Sequence, residues 1–348
     1  MERYLEQLDL AEMMEELDRF FPEFALDFSK VFGQILRGDV KGAFGSAWGE
    51  ISGAFLAQMD GMRQIMVSIL ILGLLSMLVS GLADGVENRQ IVDITHYLFF
   101  LLLLTILLKI FWQCYQTAQG VLDRTTQFSR LTLPALCLSL GPSTGTLTAV
   151  GYYELAMAFI FLMESFLLRL CLPLLSAFML LLLMNGVWEE GKLSALMELL
   201  EQGLSGAVKV SLTAVAGLGV LQSMVAPALD SLQRDTVQKV IAAVPGFGGI
   251  AESAAQVLIG SALLIKNSLG LLLLLSLLVL AALPLLKLFL YAVLLKVCSA
   301  LIGIVADKRL SNCVNKTADA VFLALKLSGA GTAGFFILTA IMTCLVGR

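Results

Sequence analysis

The chain contains one string typical of a nucleophilic serine, Gly-Pro-Ser-Thr-Gly at residues 141–145. It fits G-x-S-x-G, in which a sharp turn between a strand and a helix exposes the serine hydroxyl of a hydrolase. Ser143 would need a base, and His96 is the single histidine of the chain. No strand-like stretch precedes residue 141, and a helix break or a G-x-x-x-G packing face explains the string without catalysis. The sequence therefore predicts no enzyme.

Ionisable residues interrupt the apolar stretches. Glu164 and Arg169 lie five residues apart in one such stretch, which is not the three- or four-residue spacing of a same-face helical pair. Because an ionisable group in hydrocarbon costs a few kcal/mol unless it faces protein or water, we expect each to pair with a neighbouring helix or another subunit. Lys266, Asn267 and Lys287 are the other candidates for an internal polar path or a subunit contact.

The remaining reactive residues have structural explanations. Lys209 and Lys296 lie near predicted helix ends, where lysines extend their charge towards water. The cysteines show neither short paired spacings nor a neighbouring histidine, so no zinc or redox motif is present and we expect small buried hydrophobes. The sequence predicts no metal and no cofactor.

Glycine and proline mark two candidate backbone breaks or re-entrant turns. Their residues are Gly141, Pro142 and Gly145 in the first, and Pro245, Gly246, Gly248 and Gly249 in the second. A re-entrant turn at the second would present amide groups as discontinuous transporter helices do, and an ordinary flexible connection fits equally well. The Lys-Ser/Thr ending of a phosphate-binding loop is missing, so any ATP hydrolysis must come from a partner.

Composition places the chain in lipid. Of its 348 residues, 58% are hydrophobic and 14% are charged, against roughly 25% charged residues in an ordinary soluble domain. Apolar stretches near the roughly 20 residues needed to cross a bilayer recur along the chain. They are leucine-rich and lack the period-2 alternation of barrel strands, so they satisfy their backbone as helices. The sequence predicts an all-α polytopic integral membrane protein.

About seven membrane segments are predicted, within a range of six to eight, because helix ends are placed only to about ±2–4 residues. They lie near 64–82, 94–112, 131–150, 155–187, 206–226, 245–306 and 318–345. Segment 131–150 is broken by Pro134 and the 141–145 string. Segment 155–187 would be about 50 Å long with Pro173 near its middle, which predicts a kinked helix or a tight hairpin. Within 245–306, Pro284 is expected to divide the very apolar run that begins at Leu269.

The first 60 residues differ from the rest. They carry amphipathic stripes such as Leu5, Leu8 and Met13 and twelve acidic against five basic residues, whereas 61–348 carry fifteen against eighteen. We predict an acidic, extracytoplasmic amphipathic region at 1–60 ahead of a polytopic domain at 61–348. That domain would include an interfacial helix near 227–244 and a re-entrant segment near 245–265. An acidic surface repels nucleic acid, so nucleic acid is excluded as a partner.

One region resembles a known family. Residues 244–249, Val-Pro-Gly-Phe-Gly-Gly, followed by 260–270, Gly-Ser-Ala-Leu-Leu-Ile-Lys-Asn-Ser-Leu-Gly, are similar to the signature region of the stage III sporulation protein AE family. An acidic amphipathic head, a hydrophobic body and a glycine-rich final segment follow in the same order, so the resemblance extends over nearly the whole chain. None of these motifs is catalytic.

The resemblance implies a membrane component of the sporulation complex that joins mother cell and forespore in endospore-forming bacteria. The implied partners are the other stage III A proteins, including a separate ATPase and ring-forming proteins, and the implied location is the mother-cell membrane surrounding the forespore. Family members usually begin with a cleavable signal peptide, whereas this chain opens Met1-Glu2-Arg3 without an apolar stretch. A mature or trimmed form is therefore expected.

Other functions stay open on the residues alone. A stand-alone secondary transporter of a small solute would use the broken segments with Glu164, Arg169 and Lys266, and internal inverted repeats would favour it. An intramembrane serine hydrolase needs His96 within hydrogen-bond reach of Ser143. We predict a structural or channel-forming membrane subunit, in contact with lipid and compatible with a homo-oligomer.

Overall fold

The computed structural model describes residues 34–35, 37, 39–83, 89–144, 146–187, 193–215, 217, 248–305 and 308–344, and every regular element in these ranges is a helix. The helices are α1 (Val40–Ala83), α2 (Arg89–Thr144), α3 (Thr146–Glu164), a π-helical segment (Ser165–Cys171), α4 (Leu172–Val187), α5 (194–215), α6 (Gly248–Val305) and α7 (Lys308–Cys344). The predicted all-α class is confirmed for this part of the chain.

Four stretches of these helices are long and apolar enough to cross a membrane, Tyr97–Pro134, Tyr153–Asn185, Ser268–Ile304 and Arg309–Thr343. A shorter apolar stretch, Arg63–Leu78, lies in α1. The described residues thus contain four candidate spans where the sequence predicts about seven. The count of seven stays a prediction, because residues 218–247 lie outside the described ranges.

Several helices continue where the sequence predicts an interruption. α2 passes Pro134, Gly141 and Pro142 without interruption and ends at Thr144. Gly145, the remaining residue of the expected break, lies outside the described residues. α6 is 58 residues long and contains Pro284, so the expected division there is wrong. A proline removes one backbone hydrogen bond, and membrane helices tolerate that loss because neighbouring helices and local adjustments satisfy the freed groups.

Of the two alternatives predicted for 155–187, the structure excludes the hairpin, because α3, the π segment and α4 form one continuous helical stretch with an irregularity just before Pro173. Pro173 has no amide hydrogen and its ring crowds the carbonyl of Arg169, which opposes regular α-helical bonding there. The backbone N–H of Leu172 instead donates to the carbonyl of Leu167, a five-residue π step. The wider turn carries the proline without a reversal of the chain.

The core forms around an α6–α7 hairpin, whose two helices make the most extensive contact among the described helices. α2 packs against both members of the hairpin, α1 against α6 and α2, α3 against α2, and α4 against α7. The largest fully buried side chains come from several of these helices and include Ile69, Leu107, Phe128, Phe178 and Phe335. The predicted interfacial helix near 227–244 and residues 1–33 lie outside the described ranges, so both amphipathic regions stay predictions.

Candidate functional site

An ion pair links two helices within the apolar body. Arg130 of α2 donates from its Nη2 to Oε2 of Glu164, the last residue of α3. The Glu164 side chain keeps 18% of its accessible surface and the Arg130 side chain 40%. Glu164 thus pairs with a neighbouring helix, as its position in the sequence predicts. Arg130 is not among the candidate residues that the sequence indicates, so this partner was not predicted.

The carboxylate gains more from this contact than a surface pair would provide. The Glu164 side chain is mostly buried, and taking a charge out of water is unfavourable unless a counter-charge lies close to it. Ser129 Oγ and Arg130 Nε are buried beside the pair and have no hydrogen-bond partner among the described residues. The pair is therefore a polar point in an otherwise apolar interface between α2 and α3.

The π segment begins directly after Glu164 and contains Arg169. Arg169 is exposed, and no described carboxylate lies within ion-pair distance of it. The two charges of this stretch therefore have different environments, since Glu164 is paired and Arg169 faces outwards.

A second polar contact holds the α6–α7 hairpin together. Lys296 Nζ donates to Oδ1 of Asn315 and to Oδ1 of Asp319, each at 2.7 Å. One turn further along α6, the Ser299 hydroxyl donates to the Ser311 carbonyl at 2.8 Å, and the Ser311 hydroxyl donates to the Ser299 carbonyl at 2.9 Å. The sequence predicts that Lys296 extends towards water. Its side chain keeps 37% of its accessible surface and also bridges two helices, which the sequence did not indicate.

Lys287 lies among polar groups at the contact between α6 and α2. It is half-buried and close enough to Cys114 for an electrostatic interaction. One turn along α6, the Tyr291 hydroxyl lies 3.4 Å from Gln113 Oε1. The structure thus brings Lys287 to a polar inter-helix contact, but not to Glu164 or Arg169.

Glycines allow α7 to approach its neighbours closely. A β-carbon on Gly331 would contact Leu122 of α2 and would lie 2.8 Å from Cδ1 of Leu167 in the π segment. A β-carbon on Gly334 would lie 3.0 Å from Cε of Met163 and 3.1 Å from Cγ2 of Val215. These distances are shorter than ordinary van der Waals contact, so the glycines are required by packing.

The other predicted residues are placed only in part. Lys266 and Asn267 lie inside α6, and nothing is described of their side chains; Gly248 and Gly249 are the first residues of α6. Pro245 and Gly246 lie outside the described ranges, and the re-entrant turn there stays a prediction. The backbone at Ser143 is helical, which differs from the strand-to-helix turn that a nucleophile elbow requires.

The described part of the chain contains no group of three His, Cys, Asp or Glu residues that could hold a metal ion. Cys114, Cys171, Cys298 and Cys313 are free and buried, as expected for small apolar side chains. The polar contacts described above join helices and balance charge. Fold and site together define a helical protein compatible with a membrane, in which polar residues organise the bundle.

Comparison with known proteins assigns the chain within this class. Its residues 26–346 match the family described as Stage III sporulation protein AE, and the chain belongs to that family. A relative from Bacillus subtilis (strain 168), named Stage III sporulation protein AE, is 22% identical over 287 residues, which cover 80% of this chain and 71% of the relative. No solved structure matches the chain. The resemblance detected in residues 244–270 is confirmed.

Proposed function

We propose that the protein is a structural or channel-forming membrane subunit of the complex that joins mother cell and forespore during sporulation. Its partners would be the other stage III A proteins, including a separate ATPase and ring-forming proteins, and its location the mother-cell membrane around the forespore. The observation that carries this proposal is the family match over residues 26–346. In this role the chain positions other subunits and performs no catalysis.

An exposed apolar patch supports a role in assembly. Phe161, Leu162 and Leu170 are 59%, 56% and 51% exposed on the outer face of α3 and the π segment, beside the Arg130–Glu164 pair. Large exposed apolar side chains next to polar groups are typical of surfaces that lipid or a protein partner covers. The candidates for subunit contacts or a polar path are Glu164, Arg169, Lys266, Asn267 and Lys287.

Deletion of the gene in its own spore-forming host tests the proposal at the level of the cell. We expect forespore development to arrest after engulfment and the wild-type gene to restore spores. Normal spore formation in the deletion strain, with loss of uptake of a nutrient, would instead identify a transporter.

Purification in mild detergent followed by mass spectrometry tests the partners. We expect other stage III A proteins to co-purify with the wild-type chain and to be reduced with Phe161→Ala. Phe289→Ala is the matched control, because Phe289 is 46% exposed on another helix, α6. Equal recovery of partners with both variants would show that the patch is not a subunit contact.

A further inference from the structure

Contacts between helices place four cations at one height of the bundle. The α6–α7 hairpin pairs Gly303 with Ser311 at one end and Gly270 with Thr343 at the other. Lys287 lies about midway between Gly270 and Gly303 on α6, and Lys326 lies about midway between Ser311 and Thr343 on α7. The two lysines therefore lie at the same level along the hairpin. Both are at least partly accessible.

Arg169 and Lys209 fall near that level on two other helices. Leu167 of the π segment faces Gly331, and Val215 at the end of α5 faces Gly334. The Leu193 amide donates to Asn185 Oδ1 at 3.3 Å, so α5 starts beside the end of α4 and runs back along it. With a rise of about 1.5 Å per residue, Arg169 and Lys209 both lie within about 5 Å of the Lys326 level.

We call Arg169, Lys209, Lys287 and Lys326 the cation belt. None of the four has an ion-pair partner among the described residues. The candidate spans contain 33 to 38 residues and are therefore about 50–57 Å long, against a hydrocarbon core of about 30 Å. A bilayer centred on the bundle would put the belt at its middle, where isolated charges are least favourable.

The exposed face of α2 changes character near the level of the belt. From 94 to 112 the exposed side chains are mainly apolar and include Ile94, Leu98, Leu101, Leu108 and Trp112. From 113 to 127 they are polar and include Gln113, Gln116, Gln119, Asp123 and Gln127. Trp112 stacks on Tyr115 with ring centroids 5.5 Å apart, and such residues are enriched at membrane surfaces.

Two further apolar stripes lie at the same end of the bundle as 94–112. One is on α6 and consists of Phe289, Val293, Val297, Leu301 and Ile304; the other is on α1 and includes Val67, Ile71, Leu74 and Leu78. Ile302 lies close to Gly73, which places these stripes together. The stripe of α2 extends over about 27 Å, close to the hydrocarbon thickness.

We propose that the bilayer covers only the end of the bundle that carries these three stripes, and that the cation belt binds lipid phosphate groups at the membrane surface. The opposite end carries the polar face of α2 and the exposed apolar patch around Phe161, and it then lies outside the lipid. This inference goes beyond the proposed function and assigns Arg169 and Lys287 to lipid headgroups.

Spin labels on the full chain in vesicles of phosphatidylcholine and phosphatidylglycerol test the placement. Single cysteines are introduced by Leu101→Cys, Gln116→Cys and Phe161→Cys, and the unsubstituted protein gives the background of native thiols. We expect the spin label at residue 101 to collide several-fold more often with oxygen than with a polar nickel reagent. The labels at residues 116 and 161 should not show this excess. The same lipid signature at residue 161, or its absence at residue 101, would overturn the placement; contact with water or protein at residue 161 supports it.

Headgroup binding is tested separately with the double variant Arg169→Gln/Lys326→Gln. We expect its retention on vesicles containing phosphatidylglycerol, relative to pure phosphatidylcholine, to fall several-fold. The charge-conserving variant Arg169→Lys/Lys326→Arg should retain the preference of the wild type. If all three proteins show the same preference, the belt does not bind headgroups.

Discussion

At the scale of single residues, the Arg130–Glu164 pair makes a quantitative prediction. Glu164→Gln or Arg130→Gln leaves one charge without its partner, and we expect each to destabilise the protein. The coupling free energy from a double-mutant cycle should be about 1 kcal/mol or more, because the pair is partly buried. Exposed ion pairs contribute about 0.2–1 kcal/mol, and breaking a buried pair costs about 3–5 kcal/mol. Thermal unfolding in detergent measures it.

The exchanged pair Arg130→Glu/Glu164→Arg is the matched control for this cycle. It should recover part of the stability that either single reversal removes, because opposite charges again face each other across α2 and α3. Additive losses with no recovery would mean that the two side chains act independently.

Sequence reasoning could identify the unusual charges but not all of their partners. Glu164 was recognised as needing a partner outside its own helix, yet Arg130, 34 residues away, could not be selected because pairing of α2 with α3 is a tertiary property. Lys296 was assigned to water, whereas Asp319 lies 23 residues later. One signal could have indicated this pair. Lys296 and Asp319 lie at similar distances along the chain from the end of α6 at Val305 and the start of α7 at Lys308, and antiparallel helices bring such positions together.

At the scale of helices, two glycines of α7 provide a matched comparison. Gly331→Ala places a methyl group against Leu122 and Leu167, and overpacking of this kind costs about 1–3 kcal/mol. Gly329→Ala meets no atom within 4 Å and should be neutral or stabilising by up to about 1 kcal/mol, because alanine favours a helix.

Unfolding midpoints of both variants in the same detergent check the comparison. Equal midpoints would contradict the close approach of α7 to α2 and the π segment.

Helix continuity was the least predictable feature at this scale. Pro134, Pro173 and Pro284 each suggested an interruption, because proline removes a backbone donor. The structure keeps the helix at all three positions, since packed neighbours and the π segment compensate for the missing bond. The local sequence shows the proline penalty but not the compensation, so the continuity of these helices could not be predicted from it.

At the scale of the whole molecule, the exposed apolar stripes predict dependence on lipid. The chain should remain with membranes during an alkaline carbonate wash and require detergent for monodisperse size-exclusion behaviour, because water would contact side chains such as Ile304, which is 81% exposed, and Leu78, which is 58% exposed. A monodisperse protein in plain buffer would contradict both the membrane assignment and the placement of the bilayer.

Composition and leucine-rich stretches were sufficient to predict a helical membrane protein, and the resemblance of residues 244–249 and 260–270 to a signature region indicated the family. Sequence patterns could not position the bilayer, because mean hydropathy treats Tyr97–Pro134 as one apolar stretch and contains no information on which face of the helix is buried. On the folded chain, exposure separates Leu101 from Gln116 and shows that two halves of one helix face different surroundings.

The seven residues Ser165–Cys171 also control rotation about the helix axis. A π turn accommodates one residue more than the α turn it replaces, so every later side chain is turned by about 100° relative to an uninterrupted helix. With that offset, Leu175, Phe178 and Met179 are fully buried, whereas Leu174, Leu180 and Met184 are exposed. A deletion of one residue here would turn α4 by about 100° and move its buried side chains out of the core without altering any residue within it.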